Sequence, residues 1–243
     1  MSDQPTFDRY ADDYDASLAL ALELSGEDRM FYAKGRVSWL DRCLRELKFA
    51  PLRGLDYGCG VGTTSPLLAD RFGLAQTIGV DVSPRSIELA RAKESSQRCS
   101  FFLMDEYRPD ASLDLAYCNG VFHHIPLAQR LGAAKYVHDA LRPGGIFALW
   151  ENFGWNPGTR YVMAHCVFDK DAITLTPGQG RRLLRAAGFE IVRTDFAFVF
   201  PRLLRVLRPL EKFLSKLPLG AQYQILARKP LIRTGEPRGD LYR

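Results

Sequence analysis

The sequence predicts an α/β fold: a doubly wound, mostly parallel sheet with helices on both faces. Three observations carry this expectation. From Leu52 onward, short apolar stretches alternate with helical patterns, as strands joined by crossover helices do. The first of these stretches runs into a loop with glycine at 58, 60 and 62. The second ends beside a carboxylate, Asp81, nineteen positions beyond Gly62.

Each element follows from local pattern. Strand one is Gly54 to Tyr57, and a helical stretch from Thr63 to Phe72 follows the glycine loop. Strand two is Thr77 to Val80. Pro84 then opens a helix to about Glu94, a favourable first helical residue with Ser83 as its cap. Strands three and four are Ser100 to Met104 and Leu113 to Cys118. A helix from Leu127 to Leu141 stops at Arg142-Pro143-Gly144-Gly145, a strong breaker. Strand five is Ile146 to Glu151. A helix from Pro177 to Ala187 ends at Gly188, and Glu190 to Val199 is strand six. Ala221 to Arg228 is strand seven, beyond a basic amphipathic piece at Pro201 to Lys216. Residues 1–50 read as an N-terminal helical cap, with an apolar stripe through Phe31, Val37, Leu40, Leu44 and Leu47. Residues 51–243 read as the α/β domain, with a substrate-side insertion at 152–176 and a basic amphipathic segment at 201–217. Cap and insertion are both placed to cover the C-terminal edge of the sheet, where open α/β folds bind ligands.

With 243 residues, 47% of them hydrophobic, the chain suffices for one large core and is short for two. The acidic start, Met1 to Asp15, lacks the basic region and apolar run of a secretory signal. Apolar runs such as Ile146 to Trp150 fall far short of the roughly 20 residues that span a bilayer. Five cysteines, at 43, 59, 99, 118 and 166, include no Cys-x-x-Cys pair. They read as reduced thiols in a cytoplasmic protein, not as disulfides or zinc ligands. Charge is uneven: residues 201–243 hold ten Lys/Arg against three Asp/Glu, and the rest hold 23 against 25. That basic tail is either a solvated surface or a contact for something anionic.

The glycine loop and Asp81 carry the chemistry. Glycine lets the backbone pass close to a ligand and reach positive φ without strain. A carboxylate at the end of the next strand can accept hydrogen bonds from both ribose hydroxyls of a nucleoside. The dinucleotide fingerprint is Gly-x-Gly-x-x-Gly; here the third glycine comes one residue early, and Thr63 takes its place. No Arg or Lys lies between Gly54 and Ala69 to meet a phosphate, while Asp56 and Asp70 add negative charge. Such a loop suits an amine and a sulfonium better than two phosphates. At Asp56-Tyr57-Gly58-Cys59-Gly60-Val61-Gly62 the chain resembles the class I S-adenosylmethionine-dependent methyltransferases. Further motifs follow in that family's order: Asp81-Val82-Ser83-Pro84, Leu103-Met104-Asp105, Asp114 to Asn119, and Val121-Phe122-His123-His124-Ile125. Leu141 to Gly145 and the Ala-Gly-Phe turn ending at Phe189 complete the series.

The resemblance implies a Rossmann-like, seven-stranded sheet whose last strand is antiparallel. It implies S-adenosyl-L-methionine as cofactor, S-adenosyl-L-homocysteine as its product, and a small-molecule acceptor methylated on oxygen or nitrogen. It places Asp81 on the ribose with Val82 beside it, and Gly58, Cys59 and Gly60 along the cofactor. Asp105 is expected on the adenine amino group, with Met104 against the ring, and Asn119 toward the ammonium. Asp56 either touches the cofactor or caps the loop. Tyr14 shares a helical face with Phe7 and Tyr10, and either lies over the sulfonium or packs in the core. Arg36 either pairs with the methionine carboxylate or faces solvent.

Methyl transfer is an in-line displacement, and much of its rate comes from holding the reactants in line. A base is needed only where the acceptor must lose a proton. His123 and His124 are candidate bases, since histidine titrates near neutrality, and their adjacency suggests that only one reaches the pocket. Glu151, at the end of strand five, is the rival and faces the substrate if the sheet order holds. Arg160, Tyr161 and His165 lie in the insertion, as substrate-side cover. No metal is expected, because no carboxylate cluster is visible near strands four and five. Asn119-Gly120-Val121-Phe122 departs from the Asn/Asp-Pro-Pro-aromatic pattern of base-amine methylation, which argues against nucleic acid. Leu203, Val206, Leu207, Leu210 and Phe213 share one helical face with the basic residues mainly off it. That face packs on the sheet, joins a monomer into a homodimer, or makes peripheral contact with an anionic membrane; the last would make a lipid or lipid-linked sugar the substrate. A non-catalytic nucleotide-binding or scaffold protein is the reading from another class, and a nicotinamide oxidoreductase the third.

Overall fold

A computed structural model describes residues 25–93, 97–166, 169 and 172–231. The strands are β1 (Arg53–Tyr57), β2 (Gln76–Asp81), β3 (Cys99–Leu103), β4 (Leu113–Asn119), β5 (Leu141–Asn152), β6 (Glu190–Ala197) and β7 (Gln222–Arg228). They form one sheet in the order β3-β2-β1-β4-β5-β7-β6, and β7 runs antiparallel to both of its neighbours. The expected sheet, with its antiparallel last strand, is therefore present. Leu113 to Cys118 is buried throughout, as suits a central strand covered on both faces.

Helices α1 (Arg29–Glu46), α2 (Ser65–Phe72), α3 (Pro84–Lys93), α4 (Arg130–Ala140), α5 (Pro157–His165) and α6 (Pro177–Ala186) surround it. Asp28 caps α1 by accepting from the Phe31 N–H at 2.7 Å, and Thr176 and Gln179 form a reciprocal capping box on α6. On one face of the sheet, Val37, Leu40 and Leu44 of α1 pack with Tyr117, Trp150 and Leu226. On the other, Ala134 and Val137 of α4 and Leu184 of α6 pack with Phe147, Phe189 and Tyr223.

Two regions depart from expectation. The Pro-Gly-Gly turn ends α4, but Leu141 already pairs with Leu113, and residues 142–145 bulge out before pairing resumes at Leu115 and Ile146. The basic segment forms a 3-10 stretch (Arg202–Leu210), broken at Leu204 and carrying Pro209, and then a single turn, α7 (Glu211–Leu214). It does not pack its apolar side on the sheet: Leu203, Val206 and Phe213 are 91%, 80% and 73% exposed. The inward groups are polar. The Glu211 carboxylate accepts from the backbone N–H of Phe198, Val199 and Phe200, and Arg208 pairs with Glu27 at 2.8 Å over the Phe31 ring. Backbone donors withdrawn from water need partners, and Glu211 supplies them to three half-buried N–H groups, which turns the apolar side outward. Among the described residues, no helix is long and apolar enough to cross a membrane.

Candidate active site

The C-terminal ends of β1, β2 and β4 open into a cavity of about 710 Å³, within the roughly 300–1,000 Å³ of small-molecule sites. Its floor is the glycine loop. Gly58 and Cys59 donate backbone hydrogen bonds to Val80 O at 2.8 and 3.0 Å, which carries the chain across the end of β2. Gly58 has φ +71°, and a Cβ there would stand 2.3 Å from Val121 Cγ2. Gly60 has φ +53°, but a Cβ there would meet nothing within 4 Å and would project into the cavity. Asp81, the final residue of β2, accepts from Gly60 N–H at 2.8 Å on one oxygen and from Ser83 N–H at 2.9 Å on the other.

Behind the loop, Asp56 is buried and accepts from Ser65 Oγ at 2.7 Å. Burial, reinforced by the Asp81 charge, pushes its carboxyl up to about 7 in spite of the Ser65 bond. Asn119 lines the cavity, and its Oδ1 is buried with no hydrogen-bond partner among the described residues. Arg36 is buried in the wall, donating to the Tyr117 hydroxyl and to Gln222 Oε1, both at 3.0 Å. Both partners are neutral. An open backbone cradle, a carboxylate, an unsatisfied acceptor and a guanidinium suit a ligand that carries a ribose, an ammonium and a carboxylate.

The other end is built after β4. Both His123 and His124 line the cavity, where one was expected. Glu151 is 1% exposed and stands behind His123: one oxygen accepts from Phe122 N–H at 2.8 Å, the other lies 2.5 Å from His123 Nδ1. It does not line the cavity and so does not face the substrate as expected. A buried carboxylate must be hydrogen-bonded, and those partners lie on the loop after β4. Burial opposes charge on His123, but Glu151 and Asp169 outweigh it and push the imidazole up to about 10. His124 moves the other way: burial and the adjacent His123 charge push it down to about 4. The pair therefore presents one imidazolium and one neutral ring, with centroids 4.1 Å apart.

Asp169 completes this end, with Oδ1 3.5 Å from His123 Nε2 and 3.3 Å from His124 Nε2. Its segment is tied to the histidine loop by Ile173 N–H donating to His123 O at 2.9 Å. Arg130 binds both strands of that tie, donating to Ile125 O at 2.9 Å and to Ile173 O at 2.6 Å. From α5, Thr159, Val162 and Met163 face the cavity, and Thr159 Oγ1 donates to Ala221 O at 2.6 Å.

Other expected residues are distributed as follows. Cys59 and Met104 line the cavity, and Val82 lines it while half exposed. Asp105 does not: β3 ends at Leu103, and Asp105 turns out to solvent on the bend that follows. Tyr14, with Phe7 and Tyr10, lies outside the described residues. Tyr161 is 44% exposed and stacks on His165 at 4.2 Å, on the outer side of α5. Asp169 and Arg130 were not foreseen. Glu151 and Asp169 with the two histidines form a carboxylate-containing cluster beside β4 and β5, which spacing in the sequence conceals.

Residues 55–145 match a family model described as a methyltransferase domain. A trans-aconitate 2-methyltransferase of Methylobacterium radiotolerans is 37% identical over 102 residues, which is 41% of this chain and 38% of the relative. One from Escherichia coli is 29% identical over 140 residues, 55% of this chain and 52% of the relative. The chain thus spans about half or less of the curated relatives it matches. Among solved structures, an S-adenosylmethionine-dependent methyltransferase of Mesorhizobium loti superposes with a TM-score of 0.58 at 23% identity. That match covers 81% of this chain and 99% of the other, and it shows a shared fold.

Proposed function

Taking as premise that residues 55–145 are a methyltransferase domain set in the class I, S-adenosylmethionine-dependent fold, we propose that the chain transfers a methyl group from S-adenosyl-L-methionine to an oxygen or nitrogen of a small molecule. One observation carries this reading: the glycine loop with Asp81 and the His123–His124–Asp169 cluster face a single cavity. The names of the curated relatives support a small-molecule acceptor. Five free, buried cysteines support a reducing compartment, and we assign the chain to the cytoplasm.

When bound, S-adenosyl-L-methionine supplies a methyl on a sulfonium and leaves as S-adenosyl-L-homocysteine. Asp81 accepts from the ribose hydroxyls, with Gly60 allowing close approach of the backbone. Asn119 Oδ1, without a partner among the described residues, accepts from the ammonium, and Arg36 takes the carboxylate. At the acceptor end, neutral His124 can take a proton, and Asp169 steadies the charge that results. His123, held by Glu151, acts as a fixed wall that orients the acceptor. Val162 and Met163 of α5 add apolar lining beside this end of the cavity.

Calorimetry with S-adenosyl-L-methionine, followed by mass spectrometry of methyl transfer to trans-aconitate and a panel of small acids and amines, tests the proposal. Wild-type protein that binds no S-adenosyl-L-methionine would sink it. A second reading, a lipid acceptor at a membrane surface, is favoured by the exposed Leu203, Val206 and Phe213 among Arg202, Arg205 and Lys212. The run from Phe198 to Pro201 that leads into this face lines the cavity. Co-sedimentation with anionic vesicles that is lost in Leu203→Glu/Phe213→Glu supports that reading; no dependence on anionic lipid removes it.

A further inference from the structure

The acceptor end of the cavity has the spacing of a metal site. Asp169 Oδ1 lies 3.5 Å from His123 Nε2 and 3.3 Å from His124 Nε2, and one ligand atom from each of the three residues falls within 4.8 Å of the others. Charge-assisted N–H···O bonds are shorter, about 2.7–2.9 Å. Two ligands bound at about 2.0–2.1 Å with tetrahedral angles stand about 3.3–3.4 Å apart. The two histidine–Asp169 separations therefore fit the edges of a coordination tetrahedron better than they fit short charge-assisted hydrogen bonds. The two sides of one ring differ: His123 Nδ1 sits 2.5 Å from Glu151, whereas its Nε2 lies at the longer 3.5 Å from Asp169.

Supporting structure surrounds the three groups. Glu151 fixes the His123 ring through Nδ1 and so aims Nε2 into the cavity, the carboxylate–histidine arrangement that orients metal-bound imidazoles. Glu151 is itself anchored by Phe122 N–H. The side chains of His123, His124 and Asp169 are 2%, 14% and 7% exposed, so a cation there would be shielded from bulk water. All three line the cavity, which leaves a fourth position open on the acceptor side.

We propose that His123, His124 and Asp169 bind one divalent transition metal of the zinc type, with its open position toward the methyl acceptor. Two imidazoles and one carboxylate suit this class better than magnesium or calcium, which prefer oxygen ligands. The role of the metal rests on the methyltransferase reading; its binding does not. A hydroxyl of the acceptor bound at the open position would give up its proton to solvent water near neutral pH, and its oxygen would bond to the methyl as the sulfonium S–CH3 bond breaks to a neutral thioether, so that His124, as a ligand, would not serve as the base.

The test is titration of the chelator-treated full chain with Co²⁺, checked by equilibrium dialysis with Zn²⁺. The expected result is one Co²⁺ per chain, with visible d–d bands and no thiolate-to-cobalt charge-transfer band. His124→Ala and Asp169→Asn should each weaken binding at least ten-fold, and Glu151→Gln should weaken it about 10- to 100-fold. Absence of stoichiometric uptake, a thiolate band from the buried cysteines, or equal affinity in both ligand variants overturns the proposal. Calorimetry with S-adenosyl-L-methionine on the same samples reports folding and separates the two readings. Cofactor binding without metal uptake refutes the metal site alone, and metal uptake without cofactor binding refutes the proposed function alone.

Discussion

The backbone N–H of Gly60 donates to the Asp81 carboxylate at 2.8 Å, so the glycine loop is latched to the residue expected to hold the ribose. Loop shape and ribose grip therefore depend on one side chain. Asp81→Asn should weaken S-adenosyl-L-methionine binding about 10- to 100-fold by calorimetry, since hydrogen bonds to a charged group contribute about 1.5–3 kcal/mol. The amide also sets a donor against the Ser83 N–H or the Gly60 N–H. Unchanged affinity would remove Asp81 from the site.

Asp56 links the loop to pH. Its carboxyl rises from 3.8 to about 7 on folding, chiefly through burial, so the folded chain holds the proton more tightly than the unfolded one. The resulting stability is full below about pH 4 and is lost as pH rises through about 7. Asp56→Asn should flatten the stability profile of the cofactor-free protein across that window, as read from urea midpoints. A profile with the wild-type slope counts against the assignment.

A different window belongs to His123. Glu151 and Asp169 outweigh burial and raise it from 6.5 to about 10. Its stabilisation is therefore complete below about pH 6.5 and is lost as pH rises through about 10. Removing one member of a buried pair costs about 3–5 kcal/mol. In chelator-treated, metal-free protein, Glu151→Gln should show that deficit in urea unfolding at pH 6, shrinking toward pH 10. A deficit that stays constant with pH would mean that the pair is not ionic.

Arg130 does not line the cavity, yet it joins the backbone of the histidine loop to the segment carrying Asp169. Arg130→Ala should raise the KM for the acceptor about ten-fold or more and leave the affinity for S-adenosyl-L-methionine unchanged. Equal losses in both would show a general loosening of the fold.

What could be read from the chain divides by sequence distance. Gly58, Gly60 and Asp81 were legible because one strand–loop–helix–strand unit brings them together, with the chemistry written in residues a few turns apart. The histidine pair was visible, but its partners were not. Glu151 sits on a strand whose facing is decided by neighbours far along the chain, β4 and β7. Asp169 reaches His124 from an insertion 45 positions away, with no periodicity to mark it. The basic segment misled for a related reason. Its amphipathic pattern was plain, but three backbone donors at 198–200 drew Glu211 inward and left the apolar side outside.

Strand β7 lies between β5 and β6, although it is the latest of the seven in the chain. During synthesis, Ile146–Asn152 and Glu190–Ala197 exist for some time as two unzipped edges, each able to pair with the wrong neighbour. Only the emergence of Gln222–Arg228 from the ribosome closes both at once. Folding of this half is thus deferred to the end of translation of that strand, and a nascent chain halted before Gln222 is the species most in need of a chaperone.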